Sequence, residues 1–237
     1  AFAVYADDSK GYILPGYPPR AMVNGPVSVV DHAGVRLFNE EAQRYPWRIA
    51  PYLSYDFRGM YENSKVLAEL RSGESSYSGY GVSYAYIVSL FPSLGMNTAF
   101  VGGSDRHQEF DQSFRRVFGR VYVERLDEPR RPSVLMAFVS ARTEPQSAVP
   151  FLGRPEGFFR VEPPRFAASQ GRQWESSYDK VAAYPGLNSG FVSLRYGGKA
   201  VATHLDGHAA MLGWDELGDM QRWADQADGA DWAFQPR

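Results

Sequence analysis

The spacing of apolar positions changes about halfway along the chain. In the first half, apolar side chains recur at intervals of three and four residues, a period that is typical of amphipathic helices. This half predicts helices over residues 1–8, 45–53, 63–71, 80–91 and 105–118. Ser104 and Gly119 flank the last of these segments, as helix caps do.

The second half contains short runs that are rich in Val, Phe and Tyr and are separated by Gly and Pro. Such runs are typical of strands, because branched and aromatic side chains fit a pleated surface. The predicted strands are 120–124, 133–140, 157–161, 190–195 and 199–205. Helices followed by strands predict an α+β fold with an antiparallel sheet, and we expect residues 1–237 to form a single domain.

The strongest local signal is the predicted hairpin over residues 199–212, where Asp206-Gly207 separates two apolar runs. Asp-Gly favours a two-residue type I′ turn, and we expect Gly207→Val to disrupt it because glycine tolerates positive φ. In that register His204 and His208 point to opposite faces of the hairpin. We therefore expect no zinc site shared by these two histidines.

Composition excludes several classes of partner and site. The net charge is −2, and the charged residues of both signs are interspersed along the chain, so nucleic acid is not an expected partner. The absence of Cys removes disulfides and thiolate metal sites. No apolar run reaches the length of about 18 residues that a membrane span needs.

The segment from Ala1 to Ala6 lacks a capping residue before it, which favours the tail of a longer helix.

The candidate catalytic residues match no known motif. The chain has no G-x-S-x-G elbow, and its four histidines have no triad context, so we expect that it is not an enzyme. A hydrolase would need His107 or His204 to converge with a serine and a carboxylate. A secreted carbohydrate- or protein-binding module that uses exposed aromatic rings is an alternative that we rank above the hydrolase, since the chain has 15 Tyr and 5 Trp.

We expect no cofactor, and calcium at the acidic C-terminal region is the alternative that the sequence leaves open. Carboxylate oxygens are the ligands that Ca²⁺ prefers, but the spacing matches no EF-hand loop. We favour solvated carboxylates, with Asp206 in a turn and Asp215 as a helix cap. The acidic residues are Asp206, Asp215, Glu216, Asp219, Asp225, Asp228 and Asp231.

Several segments, taken in order, resemble one family. The stretch from Tyr5 to Pro15 is similar to the Tyr-Ala-Asp-Asp-x-x-Gly-Tyr-x-x-Pro sequence that follows the membrane helix in many bacterial prepilin-like proteins. Their C-terminal hallmark is Arg-His, nine residues, then Asp-Gly-His, and this chain has Arg195-Tyr196 before Asp206-Gly207-His208. Residues 45–53, 92–97 and 219–223 also resemble the family. The departure is Tyr196, where the family usually has His.

The resemblance implies a non-catalytic subunit of a type II secretion pseudopilus or of a type IV pilus-like filament. It implies a pilin-like fold, in which the N-terminal helix packs on an antiparallel sheet with long loops. It also implies a cleaved leader, an apolar N-terminal helix in the inner membrane, and a body on the periplasmic or cell-surface side. The implied partners are other pilin subunits and the secretion machinery. Tyr196, Asp206, Gly207 and His208 would be structural motif residues, and some major pseudopilins bind calcium through a C-terminal loop.

Overall fold

The fold is seen in a computed structural model that describes residues 1–25, 28–62, 66, 68, 83–145 and 155–236. The helices are α1 (Phe2–Asp8), α2 (Arg20–Asn24), α3 (Asn39–Gln43), α4 (Tyr45–Ile49), α5 (Tyr84–Leu90), α6 (Gln112–Phe118), α7 (Pro185–Ser189) and α8 (Trp214–Leu217). Short 3₁₀ helices cover Ala50–Leu53, Arg58–Met60, Asp105–His107, Ala168–Gln170 and Met220–Arg222. The strands are β1 (Leu94–Asn97), β2 (Met136–Ser140), β3 (Arg160–Val161), β4 (Ala200–His204) and β5 (Ala209–Leu212).

The five strands form one mixed sheet in the order β3-β1-β2-β4-β5. Strands β1, β2, β4 and β5 pair antiparallel, whereas β3 runs parallel to β1, with Met96 beside Arg160. The α+β class is confirmed, but the prediction of a purely antiparallel sheet is wrong at this edge. Glycine permits the close approach of the two strands, because a Cβ at Gly95 would lie 2.6 Å from the carbonyl carbon of Arg160.

Three predicted helices are confirmed where the structure describes them. Helix α1 packs on the sheet through Phe2, whose ring lies edge-on at 5.3 Å from that of Phe138 in β2. Helix α4 carries Pro46 in its first turn, and the chain continues as a 3₁₀ helix. Helix α5 begins where the Ser83 hydroxyl accepts the Tyr86 N–H at 3.1 Å. The predicted helix over 63–71 lies outside the described residues except at 66 and 68, as do residues 80–82.

The predicted helix over 105–118 is interrupted. Residues Asp105–His107 form only a 3₁₀ turn, Gln108 has φ of 59°, and α6 starts at Gln112. The buried Glu109 side chain turns back and accepts the Ser104 N–H at 2.8 Å, which occupies a backbone donor at the start of the segment. The Ser104 side chain makes no cap hydrogen bond, so its predicted capping role is wrong.

Two of the predicted strands are not strands. Residues 120–124 and 190–195 contribute only isolated bridges, Val101 with Val123 and Ala141 with Val192. At the second site Gly190 and Phe191 have φ of 57° and 68°, so the backbone turns where an extended conformation was expected. The predictions over 133–140 and 157–161 are confirmed only in their C-terminal residues, by β2 and β3, and the prediction over 199–205 is confirmed except at its two end residues, by β4.

The C-terminal segment packs onto the end of β1. Fully buried Asn97 donates from Nδ2 to the Met136 carbonyl at 3.0 Å and to the Trp223 carbonyl at 2.9 Å. The Leu217, Met220 and Trp223 side chains are also fully buried. Within the described ranges, none of the helices combines the length and the apolar character that crossing a membrane requires.

Candidate functional site

The motif hairpin, which we define as β4, the loop 205–207 and β5, confirms the predicted hairpin but not its turn. Thr203 pairs with Ala209, and the His204 N–H donates to the His208 carbonyl at 2.9 Å. Within the loop 205–207 only Gly207 has positive φ, at 93°, and its N–H donates to the His204 carbonyl at 3.0 Å. The loop therefore has three residues, and the prediction of a two-residue type I′ turn is wrong.

The extra loop residue changes the face on which the histidines lie. A register slip of one residue moves a side chain to the other face of a strand, so His204 and His208 share a face. Their rings stack with centroids 4.1 Å apart and planes at 3°. The expectation that they point to opposite faces is therefore wrong. The stacked geometry is nevertheless unsuited to a shared metal ion, because a ring nitrogen binds a metal within the plane of its ring.

Burial sets the electrostatics of this pair. His204 is 3% exposed, and neither of its ring nitrogens has a hydrogen-bond partner among the described residues. Burial, with repulsion from His208 and Arg222, lowers the pKa of His204. The exposed Asp206 carboxylate accepts from the His208 backbone N–H at 3.1 Å and lies 2.7 Å from its Nδ1, contacts that lower the pKa of Asp206.

Tyr196 lies at the other end of β4 and does not converge with Asp206. It opens a turn in which Gly197 and Gly198 have φ of 61° and 80°, and its N–H and carbonyl both bond to Lys199. The nine-residue spacing of the motif thus corresponds to one strand and its flanking turn residues. The adjacent Gly-Gly pair is a known hairpin signal, and it is the sequence feature that could have identified this turn.

Arg195 ties this turn to the rest of the fold. Its guanidinium donates to the Ala141 carbonyl at 2.9 Å, to the Ser93 carbonyl at 3.0 Å and to the Glu62 carboxylate at 2.9 Å. The Tyr196 hydroxyl also bonds to Glu62, and its ring lies under the Arg195 guanidinium. Sequence patterns could not indicate this network, because its members are up to 134 residues apart.

An apolar groove runs beside the start of α1. This α1 groove has a volume of about 350 Å³, and Val201 and Thr203 of β4 line it together with Phe138 of β2. Its other lining residues are Ala1, Phe2, Tyr45, Ile49, Leu53, Gly59, Met60, Glu62, Ser93, Leu94 and Tyr196. The turn over residues 196–199 and the loop 205–207 lie at the two ends of β4. Because β4 lines the α1 groove, these motif residues support the surface next to α1.

The acidic C-terminal residues do not converge on a cation site in the part of the chain that the structure describes. No group of three or more His, Asp or Glu side chains there could hold a metal ion. Glu216 accepts the Gly213 N–H at 2.9 Å, and Asp219 caps the last 3₁₀ helix. Asp215 lies inside the first turn of α8, and Gly213 holds the cap position that was predicted for Asp215.

A second polar cluster surrounds His107. Its Nε2 lies 3.1 Å from Glu162, which also pairs with Arg160 at 2.7 Å. Burial alone would raise the pKa of Glu162, but Arg160 and His107 outweigh it and bring this pKa to about 2. The adjoining cleft holds about 310 Å³, and its described lining includes no serine, so it lacks the hydroxyl nucleophile that the hydrolase hypothesis requires.

The aromatic side chains do not form an exposed row in the described ranges. Trp47, Trp174 and Trp223 are buried, and Trp214 and Trp232 are partly buried against the core. The large aromatic side chains that are exposed are Tyr12, Phe38 and Tyr184, one in each of three distant segments. Aromatic burial therefore serves the core, as the default interpretation of these rings expects.

Comparison of the whole chain with protein-family models, with curated proteins and with solved structures gives no significant match in any of the three. The function is therefore argued from the site and from the residues of the motif.

Proposed function

We propose that this chain is the globular body of a non-catalytic subunit of a pilus-like filament, of the type II secretion pseudopilus or type IV pilus kind. The observation that carries the proposal is the position of α1, which lies on the sheet with its first residues at the apolar α1 groove. In this proposal an apolar helix precedes Ala1, anchors the subunit in the inner membrane and packs against other subunits.

The first residues of α1 lie at the α1 groove, because Ala1 and Phe2 are among the residues that line it. In this proposal the preceding apolar helix would extend from that point by about 1.5 Å per residue.

The motif residues support the same proposal through the groove. Tyr196 lies at the groove, and Asp206 and Gly207 close the strand whose Val201 and Thr203 line it. The body would then face the periplasm or the cell surface, and its partners would be other subunits and the secretion machinery. The burial of the tryptophans is the reason that we place the carbohydrate-binding alternative second.

The test is processing and localisation of the product of the complete gene. The gene would be expressed in cells with and without a prepilin peptidase, and the mass and membrane association of the product would be measured. We expect a membrane-bound form that is shortened only when the peptidase is present. A product that an ordinary signal peptidase releases in soluble form would contradict the proposal and favour a secreted binding module.

A further inference from the structure

A second apolar pocket contains one charged group without an acidic partner. This Arg48 pocket has a volume of about 260 Å³ and lies between α1, the Pro-rich loop after it, α2 and α4. Its apolar wall includes Tyr5, Leu14, Met22, Val23, Val29 and Trp47. Arg48 is the single charged residue among the described residues that line it. Apolar pockets with few polar groups are typical of small-molecule sites.

Among the described residues, the Arg48 guanidinium bonds only to neutral carbonyl groups. It donates to the carbonyl of Pro15, and to those of Gly16 and Gln43 at 2.9 Å each. Its Nε is buried and has no hydrogen-bond partner in the part of the chain that the structure describes. No carboxylate among the described residues forms an ion pair with it.

Arg48 is partly buried, and a charge without a counterion is costly there even when carbonyl groups satisfy some of its donors. Burial accordingly lowers the pKa of Arg48 to about 10, and the groups that oppose this shift are the phenols of Tyr5 and Tyr17. At neutral pH the guanidinium remains charged. An anion in the pocket would therefore be stabilised by charge, and its tail would be stabilised by the apolar wall.

We propose that the Arg48 pocket binds a small carboxylate with an unbranched apolar tail, its carboxylate beside Arg48 and its tail against Val23, Val29 and Trp47. The volume limits the size of this ligand. At roughly 30 Å³ for each water-sized group, the pocket holds about nine non-hydrogen atoms, which matches a carboxylate of about seven or eight carbons when its two oxygens are included. This proposal is independent of filament assembly, although Tyr5 of α1 would contact the ligand.

The test is calorimetric titration of the whole protein with octanoate and with octanamide, which has the same tail and no charge. We expect one octanoate per chain, bound roughly ten- to a hundred-fold more tightly than octanamide, which is the usual contribution of a charge-assisted hydrogen bond. Equal binding of the two compounds, or no saturable binding of octanoate, would overturn the proposal.

A matched pair of variants locates the binding site. Met22 lies in the pocket wall and is 45% exposed, whereas Met211 on β5 is 44% exposed and is not among the pocket residues. Met22→Trp should fill the pocket and reduce octanoate affinity at least tenfold, while Met211→Trp should leave it unchanged. Equal effects of the two variants would place octanoate elsewhere and refute the site.

A third variant tests the charge itself. Arg48→Gln should bind octanoate no more tightly than octanamide, provided that its circular dichroism spectrum and melting curve show a folded protein. This variant also loses hydrogen bonds to three carbonyls, so it is not the primary test. If it does not fold, the ratio of octanoate to octanamide affinity and the effect of Met22→Trp decide the question.

Discussion

Replacing Gly207 with valine isolates the contribution of one backbone conformation to the motif hairpin. Gly207 has φ of 93°, and a Cβ built there meets no heavy atom within 4 Å. The substitution therefore introduces no clash with neighbouring residues. Its cost is the strain of an L-residue at positive φ, about 1–3 kcal/mol and near the upper half of that range for a β-branched side chain.

A destabilisation of about 2 kcal/mol corresponds to a Tm decrease of about 4–8 °C for a chain of this length. The measurement is thermal unfolding followed by circular dichroism, together with amide hydrogen exchange of His204 and Leu205, whose N–H groups bond to the His208 and Leu135 carbonyls. We expect faster exchange at both amides, because the loop that orders them is strained.

Gly59→Val is the matched control for this experiment. A Cβ at Gly59 also meets nothing within 4 Å, but Gly59 is not among the residues with positive φ. Its Tm should change by about 1 °C or less, as surface substitutions without strain usually do. Equal Tm values for the two variants, or unchanged exchange at His204 and Leu205 in Gly207→Val, would refute the reasoning.

Three further predictions concern buried polar groups. The lowered pKa of His204 keeps this side chain neutral in the fold, so its contribution to the unfolding free energy should be constant above about pH 6.5 and should fall as pH decreases toward the folded pKa. Denaturant melts of His204→Phe at several pH values should lack this pH-dependent contribution. An identical pH profile for the two proteins would contradict the prediction. Arg195→Ala removes hydrogen bonds to the Ser93 and Ala141 carbonyls, of which the Ser93 carbonyl keeps the Ala141 N–H as a donor. It should cost about 2 kcal/mol in urea unfolding, whereas a cost below about 0.5 kcal/mol would make its network unimportant. Asn97→Ala should cost about 2 kcal/mol and increase proteolysis of the C-terminal segment, and unchanged proteolysis would show that other contacts hold that segment.

Sequence analysis predicted some helices and turns from residue types at or near their ends. Pro46 marks the first turn of α4, as expected. The helix predicted over 80–91 contains α5, although its cap at Ser83 was not predicted. Asp206-Gly207 located the loop of the hairpin. It did not fix the register, because Leu205 leaves the ladder and pairs instead with the Leu135 carbonyl. A long-range hydrogen bond thus changed a local turn, and with it the face of His204.

Other features depend on residues that are far apart in the sequence. The parallel pair of β1 and β3 joins segments more than 60 residues apart, and the two-residue length of β3 gives no periodic signal. The helix predicted over 105–118 is interrupted near Glu109, which is buried although glutamate favours an exposed position. Of the candidate site, the motif residues were identified from the sequence, whereas the α1 groove and the Arg195 network required the fold.

Assembly through α1 is the central claim, and disulfide crosslinking tests it directly because the chain has no Cys. Val4 on α1 is 52% exposed, and Val35 on a turn is 59% exposed, so the two single-cysteine variants form a matched pair. In envelope fractions of cells that express the complete gene with its secretion machinery, Val4→Cys should give disulfide-linked dimers on oxidation, and Val35→Cys should remain monomeric. A Val4→Cys protein that stays monomeric, or that dimerises to the same extent without the machinery, would contradict assembly through α1.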